Sequence, residues 1–208
     1  MGEFKTNVQN HMLIRLGGLC GILGSVLSLV MVFAATVISP WFRWDTNALS
    51  ELGVGEVSLV FNSAVVIGGV LNFIFALGAR KYLSERRVVR IGAALVMLSS
   101  VCLALVGIFT VTYHFAHAIV SLGYFVLAPT GFILIGLGTE RDTIRTLSIV
   151  TGIAALLAIL ILPMMFLVVP FKVGFAVPEM IEALILAAWI VFMGVRLLRA
   201  PYGGNWIE

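Results

Sequence analysis

Two histidines three residues apart, His114 and His117, and two glutamates at the same spacing, Glu179 and Glu182, are the residue types in this chain best suited to chemistry. On a helix, spacings of three and four put side chains on one stripe. A His-x-x-His facing a Glu-x-x-Glu could supply four ligands to Zn or a similar divalent ion. Without a metal, a neutral imidazole and a carboxylate could serve as base and acid on a lipid headgroup or ester. Ser121, one turn beyond His117, extends the stripe. Another polar stretch, Ser39 to Glu56, adds Arg43, Asp45, Ser50 and Glu51 between two apolar runs.

The catalytic candidates are therefore His114, His117, Glu51 and Glu182. Candidate substrate contacts are Arg43, toward a phosphate, with Ser50, Asn62 and Ser121; candidate metal ligands are His114, His117, Glu179 and Glu182. Each has a plainer reading. Glu56 and Glu179 stand near helix starts, where a negative charge opposes the dipole. Arg43 is also an ordinary loop charge, Asn62 an interhelical hydrogen-bonder, and an interfacial histidine can simply be hydrated. Glu182 is harder to dismiss, because an acid a full turn inside an apolar helix should face a partner or a wet cavity. His114, His117 and Arg43 are its candidate partners.

The elements that must gather these residues are membrane helices. The chain of 208 residues is 61% hydrophobic and 11% charged, with a mean hydropathy of +1.13. Soluble domains carry about 25% charged residues. Six runs near 14–38, 57–79, 91–112, 115–138, 146–169 and 178–197 reach the roughly 20 apolar residues that a bilayer crossing needs. The first is too long for a signal-peptide core and is read as an anchor. Of the 13 Lys and Arg, only Arg43 and Lys172 fall on the outer side if the N-terminus is inside. That bias predicts cytoplasmic N- and C-termini. The expected fold is all-α: a polytopic six-transmembrane-helix bundle forming one domain over 1–208, multi-pass in the cell membrane.

Within this frame, Gly17, Gly21 and Ser25 form a small-residue face, as do Gly68 and Gly69, suited to close helix packing or to a homo-oligomer. Pro129 and Pro163 should kink helices 4 and 5, and Pro178 suits the first position of helix 6. Trp41 and Trp44 mark the outer headgroup belt and Tyr82 the inner one, whereas Trp189 should pack inside the bundle. Cys20 and Cys102 lie in apolar runs and are read as packing residues. The basic residues border apolar segments and form no nucleic-acid motif, so membrane lipids and not nucleic acids are the expected partners.

Asn47-Ala-Leu-Ser-Glu-Leu-Gly-Val54, then Phe61-Asn62 and His114-Phe-Ala-His-Ala118, resemble a prokaryotic membrane family, domain of unknown function 998, found widely in archaea. The resemblance implies about six helices, a Ser-acid-Leu-Gly element after helix 1 and a histidine at the outer start of helix 4. The acid of that element is usually aspartate; here it is Glu51. By resemblance, Ser50, Glu51, Asn62 and His114 are of interest. The loop pattern is more distantly similar to eukaryotic autophagy modulators and GPI-anchor lipid remodellers, which implies lipid handling.

These readings leave three classes of function. The first is binding or modification of a lipid headgroup or other outer-leaflet substrate, with a divalent metal such as Zn as a candidate cofactor. The second is a non-catalytic scaffold or lipid sensor. The third is passive transport of a small solute, since the midplane offers only small polar residues such as Ser99, Ser100 and Thr151. No nucleotide-binding loop or nucleophile elbow is present.

Overall fold

A computed structural model describes residues 2–83, 85–168 and 174–201, with side chains described for 8–83, 85–160 and 174–201. The chain forms α1 (Gly2–Val37), α2 (Ser58–Tyr82), α3 (Arg87–Val106), α4 (His114–Gly138), α5 (Asp142–Val168) and α6 (Ala176–Leu198), and no strand occurs among the described residues. Two 3-10 turns, η1 (Leu49–Gly53) and η2 (Val111–Tyr113), sit in the connections at one end. All 6 helices include a stretch long and apolar enough to cross a membrane. Helices satisfy their backbone polar groups internally, which hydrocarbon requires. The chain is thus an all-α bundle of six candidate spans, and an even number returns both termini to one face.

Three boundaries differ from the sequence expectation. Helix α1 starts at Gly2 rather than near residue 14, because its polar first turns contain no proline and the helix runs on beyond its apolar part. There His11 Nε2 lies 3.3 Å from the Ala200 carbonyl. Helix α3 stops at Val106 instead of running to 112. Gly107 follows, pressed so close to α2 that a Cβ would sit 2.7 Å from the Asn62 carbonyl oxygen. Pro178 takes the third position of α6, not the first; its missing N–H costs nothing anywhere in a first turn. Helix α4 runs unbroken past Pro129. The Pro163 side chain, Lys172 and the tail beyond Pro201 lie outside the described residues.

The helices form a ring in chain order, each packed on the next, with α6 closing on α1 and touching α2 across the middle. Glycines set the closest approaches. A Cβ at Gly17 would meet Gly78 Cα at 2.9 Å, and one at Gly18 would meet the Gly194 carbonyl at 2.6 Å. Gly21 faces the Phe75 ring, while Gly68 faces Ser28 and Gly69 faces α3 at Ser100 and Ala104. The small-residue faces are thus occupied within the chain. The outside of the ring is apolar, with Leu23, Phe33, Leu59, Phe115 and Leu122 exposed, as expected of a lipid-facing surface.

The two halves are packed differently. At the face carrying the basic loops, Trp189 is 2% exposed and stacks on Phe132 with centroids 3.8 Å apart. Phe75 meets its edge at 6.1 Å, and its Nε1–H donates to Ser148 Oγ at 2.8 Å. Tyr82, expected in an aromatic belt, is instead buried beneath the Arg141 guanidinium, 4.6 Å from the ring centroid. Arg86 pairs with Glu140, linking the two basic loops. At the opposite face, Phe42, Leu49, Leu52 and Val57 from the long loop pack onto Phe61, Val106 and Val120. Trp41 is half-exposed there, and Phe42 meets both Trp41 and Trp44 edge-on. Trp189→Ala should destabilise the bundle by about 3–5 kcal/mol, the usual cost of removing a buried large aromatic. Thermal unfolding in detergent would measure the loss, and an unchanged midpoint would contradict this packing.

Candidate functional site

The long loop between α1 and α2 folds around Asn47 and Glu51. Asn47 Oδ1 accepts the Arg43 N–H at 2.9 Å, and its Nδ2 donates to Glu51 Oε2 at 2.6 Å. Glu51 Oε1 accepts the Ala48 N–H at 3.0 Å. That is the return half of a capping box, in which the third helical residue reaches back to the residue before the helix. Ala48 has no oxygen with which to complete it. The missing acceptor comes from α6: Glu179 Oε2 takes the Leu49 N–H at 2.6 Å, and the Ser50 N–H is also directed at this carboxylate.

Two backbone bonds fasten the same strip of loop to the start of α6, Gly174 N–H to the Asp45 carbonyl at 2.6 Å and Ala176 N–H to the Asn47 carbonyl at 2.9 Å. On α2, Asn62 Nδ2 donates to the Gly53 carbonyl at 3.1 Å. Gly55, with φ of 89°, turns the chain toward α2 in a conformation that side chains rarely adopt. The loop is therefore a roof hung from α2 and α6. At its rim Arg43 pairs with Asp45 at 2.9 Å, both largely exposed. The guanidinium's hydrogen bond holds the Asp45 carboxyl below its ordinary range.

Under the roof lies a cavity of about 100 Å³. Its middle is apolar, lined by Leu29, Val32, Phe61, Val65, Leu103 and Phe125. Its outer end carries Ser50, Ser121 and Glu179, and its deep end Ser25 and Asn72. From Glu179 to Ile190, both on its wall, it follows α6 for about 16 Å at 1.5 Å per residue. That is roughly half of a 30 Å hydrocarbon core. Ser25 Oγ and Asn72 Oδ1 are buried there with no hydrogen-bond partner among the described residues. Below them begins the Phe75–Trp189–Phe132 stack.

The histidines part company. His114 is exposed at the start of α4. His117 turns inward: its Nδ1 is 2.6 Å from the Phe109 carbonyl, and its Nε2 is 3.3 Å from Ser121 Oγ. Glu182 is fully buried, and neither of its oxygens has a hydrogen-bond partner among the described residues. Tyr124, on the cavity wall, is in electrostatic range of it. The partners expected for Glu182 are engaged or distant: Arg43 with Asp45, His117 with Phe109 and Ser121, and His114 at the surface.

Of the residues singled out by sequence, Ser50, Ser121 and Glu179 reach the cavity, with His117 directly behind Ser121. Glu51, Asn62 and Arg43 hold the roof together instead. His114, His117, Glu179 and Glu182 are not gathered, and no group of three or more His, Cys, Asp or Glu placed to hold a metal ion occurs among the described residues. Sequence reasoning missed Ser28 and Tyr124 on the wall. Ser25 and Ser28 on one helix face, level with Asn72, were the available signal.

Glu179→Leu should release the first turn of η1, while Glu179→Gln keeps an acceptor in place. Leaving a buried N–H without its acceptor costs about 1–3 kcal/mol, so amide exchange at Leu49 should quicken roughly five- to hundredfold in the leucine variant and far less in the glutamine variant. Hydrogen-exchange mass spectrometry would read both. The Arg43–Asp45 pair follows a separate pH rule. A depressed carboxyl contributes above the ordinary aspartate range and loses its contribution as pH falls through its lowered value. Acid should therefore free the Arg43 side chain, which NMR of its Nε–H would follow.

No curated protein and no solved structure matches this chain at a significant level. The family described as "Protein of unknown function (DUF998)" matches residues 22–196, from just past the middle of α1 almost to the end of α6. That range takes in the roof, the cavity wall and the aromatic stack, and the chain belongs to the DUF998 family.

Proposed function

We propose that the protein binds a membrane lipid on its loop-bearing side, with an apolar chain in the cavity and a polar end beneath the roof. The observation that carries this reading is the cavity's sequence of surfaces: polar groups under the loop, then an apolar barrel, inside a bundle whose exterior is itself apolar. Ligand sites typically combine an apolar lining with a few placed polar groups. The volume is several times the roughly 10–15 Å³ that one water needs. Ser50 and Ser121 can donate to phosphate or carbonyl oxygens, and Glu179 favours a head that offers hydrogens.

Photolysis of the reconstituted protein with a phospholipid carrying a diazirine in its acyl chain tests the reading. Crosslinks should appear on Phe125 and Met180, which face the cavity, and should fall at least tenfold in Ala183→Trp, which fills it. Crosslinks confined to exterior residues such as Phe115 and Leu122, and indifferent to Ala183→Trp, would refute it.

A second reading, passage of a small neutral solute, draws support from Ser25 and Asn72, whose unpartnered polar atoms at mid-depth suit water. It requires the Phe75–Trp189–Phe132 stack below to part.

A further inference from the structure

We propose that Ser121 is a nucleophile, with His117 as its base, and that the lipid presented to it is a carboxylic ester. This rests on the lipid-binding reading of the cavity. The Phe109 carbonyl can only accept a hydrogen bond. At 2.6 Å from His117 Nδ1, it fixes the proton on that nitrogen and leaves the Nε2 lone pair free. Nε2 points at Ser121 Oγ, 3.3 Å away. The serine hydroxyl is therefore the donor, directed at a base whose tautomer is already set.

Nucleophile, base and orienting acceptor in that order form the arrangement that activates serine in acyl transfer. Contacts of this kind are often loose before substrate arrives. The four-residue spacing stacks His117 directly behind Ser121 on one face of α4, and Ser121 lies on the cavity wall. Other cavity hydroxyls lack this support. Ser28 donates to the Ala64 carbonyl at 2.8 Å, and Ser25 has no partner among the described residues. The orienting group here is a neutral carbonyl and not a carboxylate. It sets the tautomer but stabilises an imidazolium less, which suits slow turnover.

The chemistry balances without a metal or redox partner. Ser121 Oγ bonds to the ester carbonyl carbon while its proton passes to His117 Nε2. The carbon–alkoxide bond then breaks, and the proton goes from Nε2 to the departing alcohol. Water from the loop face attacks the acyl-serine and gives a proton to Nε2, which returns it to Ser121 as the carboxylic acid leaves. Ser50, in the roof and also lining the cavity, carries a hydroxyl able to donate to the oxyanion.

The test uses a long-chain alkyl fluorophosphonate on the full-length protein in nanodiscs, where the serine oxygen displaces fluoride. Peptide mass spectrometry should find the adduct on Ser121. It should vanish in Ser121→Ala, form about 100-fold or more slowly in His117→Ala, the usual scale of a general base, and be unchanged in His114→Ala. Diazirine-lipid crosslinking of each variant shows whether the cavity survives the substitution. Where the lipid crosslinks inside the cavity but Ser121 stays unlabelled, the nucleophile assignment is wrong and the binding reading stands. Equal labelling rates in wild type and a cavity-competent His117→Ala would overturn the base assignment. Absence of both signals in the wild type overturns both readings.

Discussion

A single carboxylate joins the beginning of this fold to its end. Glu179, in the first turn of α6, accepts the Leu49 N–H across 130 positions of sequence. In doing so it supplies the cap that Ala48 cannot. The loop brings Leu49 and Leu52 into the core beneath it, so the hydrogen bond and the apolar burial act in the same place. Backbone groups there would otherwise be buried without partners, a cost of about 1–3 kcal/mol each. The roof over the cavity is held at its edges by α6 and by Asn62 on α2, and by the leucines it packs into the core beneath it.

Hydropathy made the fold legible. Six apolar runs, short connections and small residues at helical spacing lead directly to a bundle of six helices, though not to its closure into a ring. What it could not see was the polar start of α1, because helix propensity continues where hydrophobicity stops. Tyr82 shows a related limit: an aromatic at a span end reads as a belt residue until a neighbouring loop is known to lay a guanidinium over it.

The site was legible only in part. The sequence singled out Ser50, Ser121, His117 and Glu179, and three of these line the cavity with the fourth behind it. It also grouped His114 with His117, because spacing gives the angle between two residues but not the rotation of their helix. His117 turns inward and His114 outward. Glu51 was read as chemically available, yet both of its oxygens are bound within its own loop. A residue serving its neighbours and one serving a ligand can look alike in a motif. Polar contacts separate them.

The ring closes through the contact of Gly18 with Gly194, the first helix against the last. During synthesis, α1 and its loop must therefore wait in the bilayer until α6 has emerged. Until α6 arrives, the glycine-rich side of α1 that will meet Gly194 has only lipid or some other helix to touch, and Leu49 lacks its acceptor. The roof is thus completed only once α6 is in place. Its completion therefore depends on the pairing of α6 with α1 and with the loop.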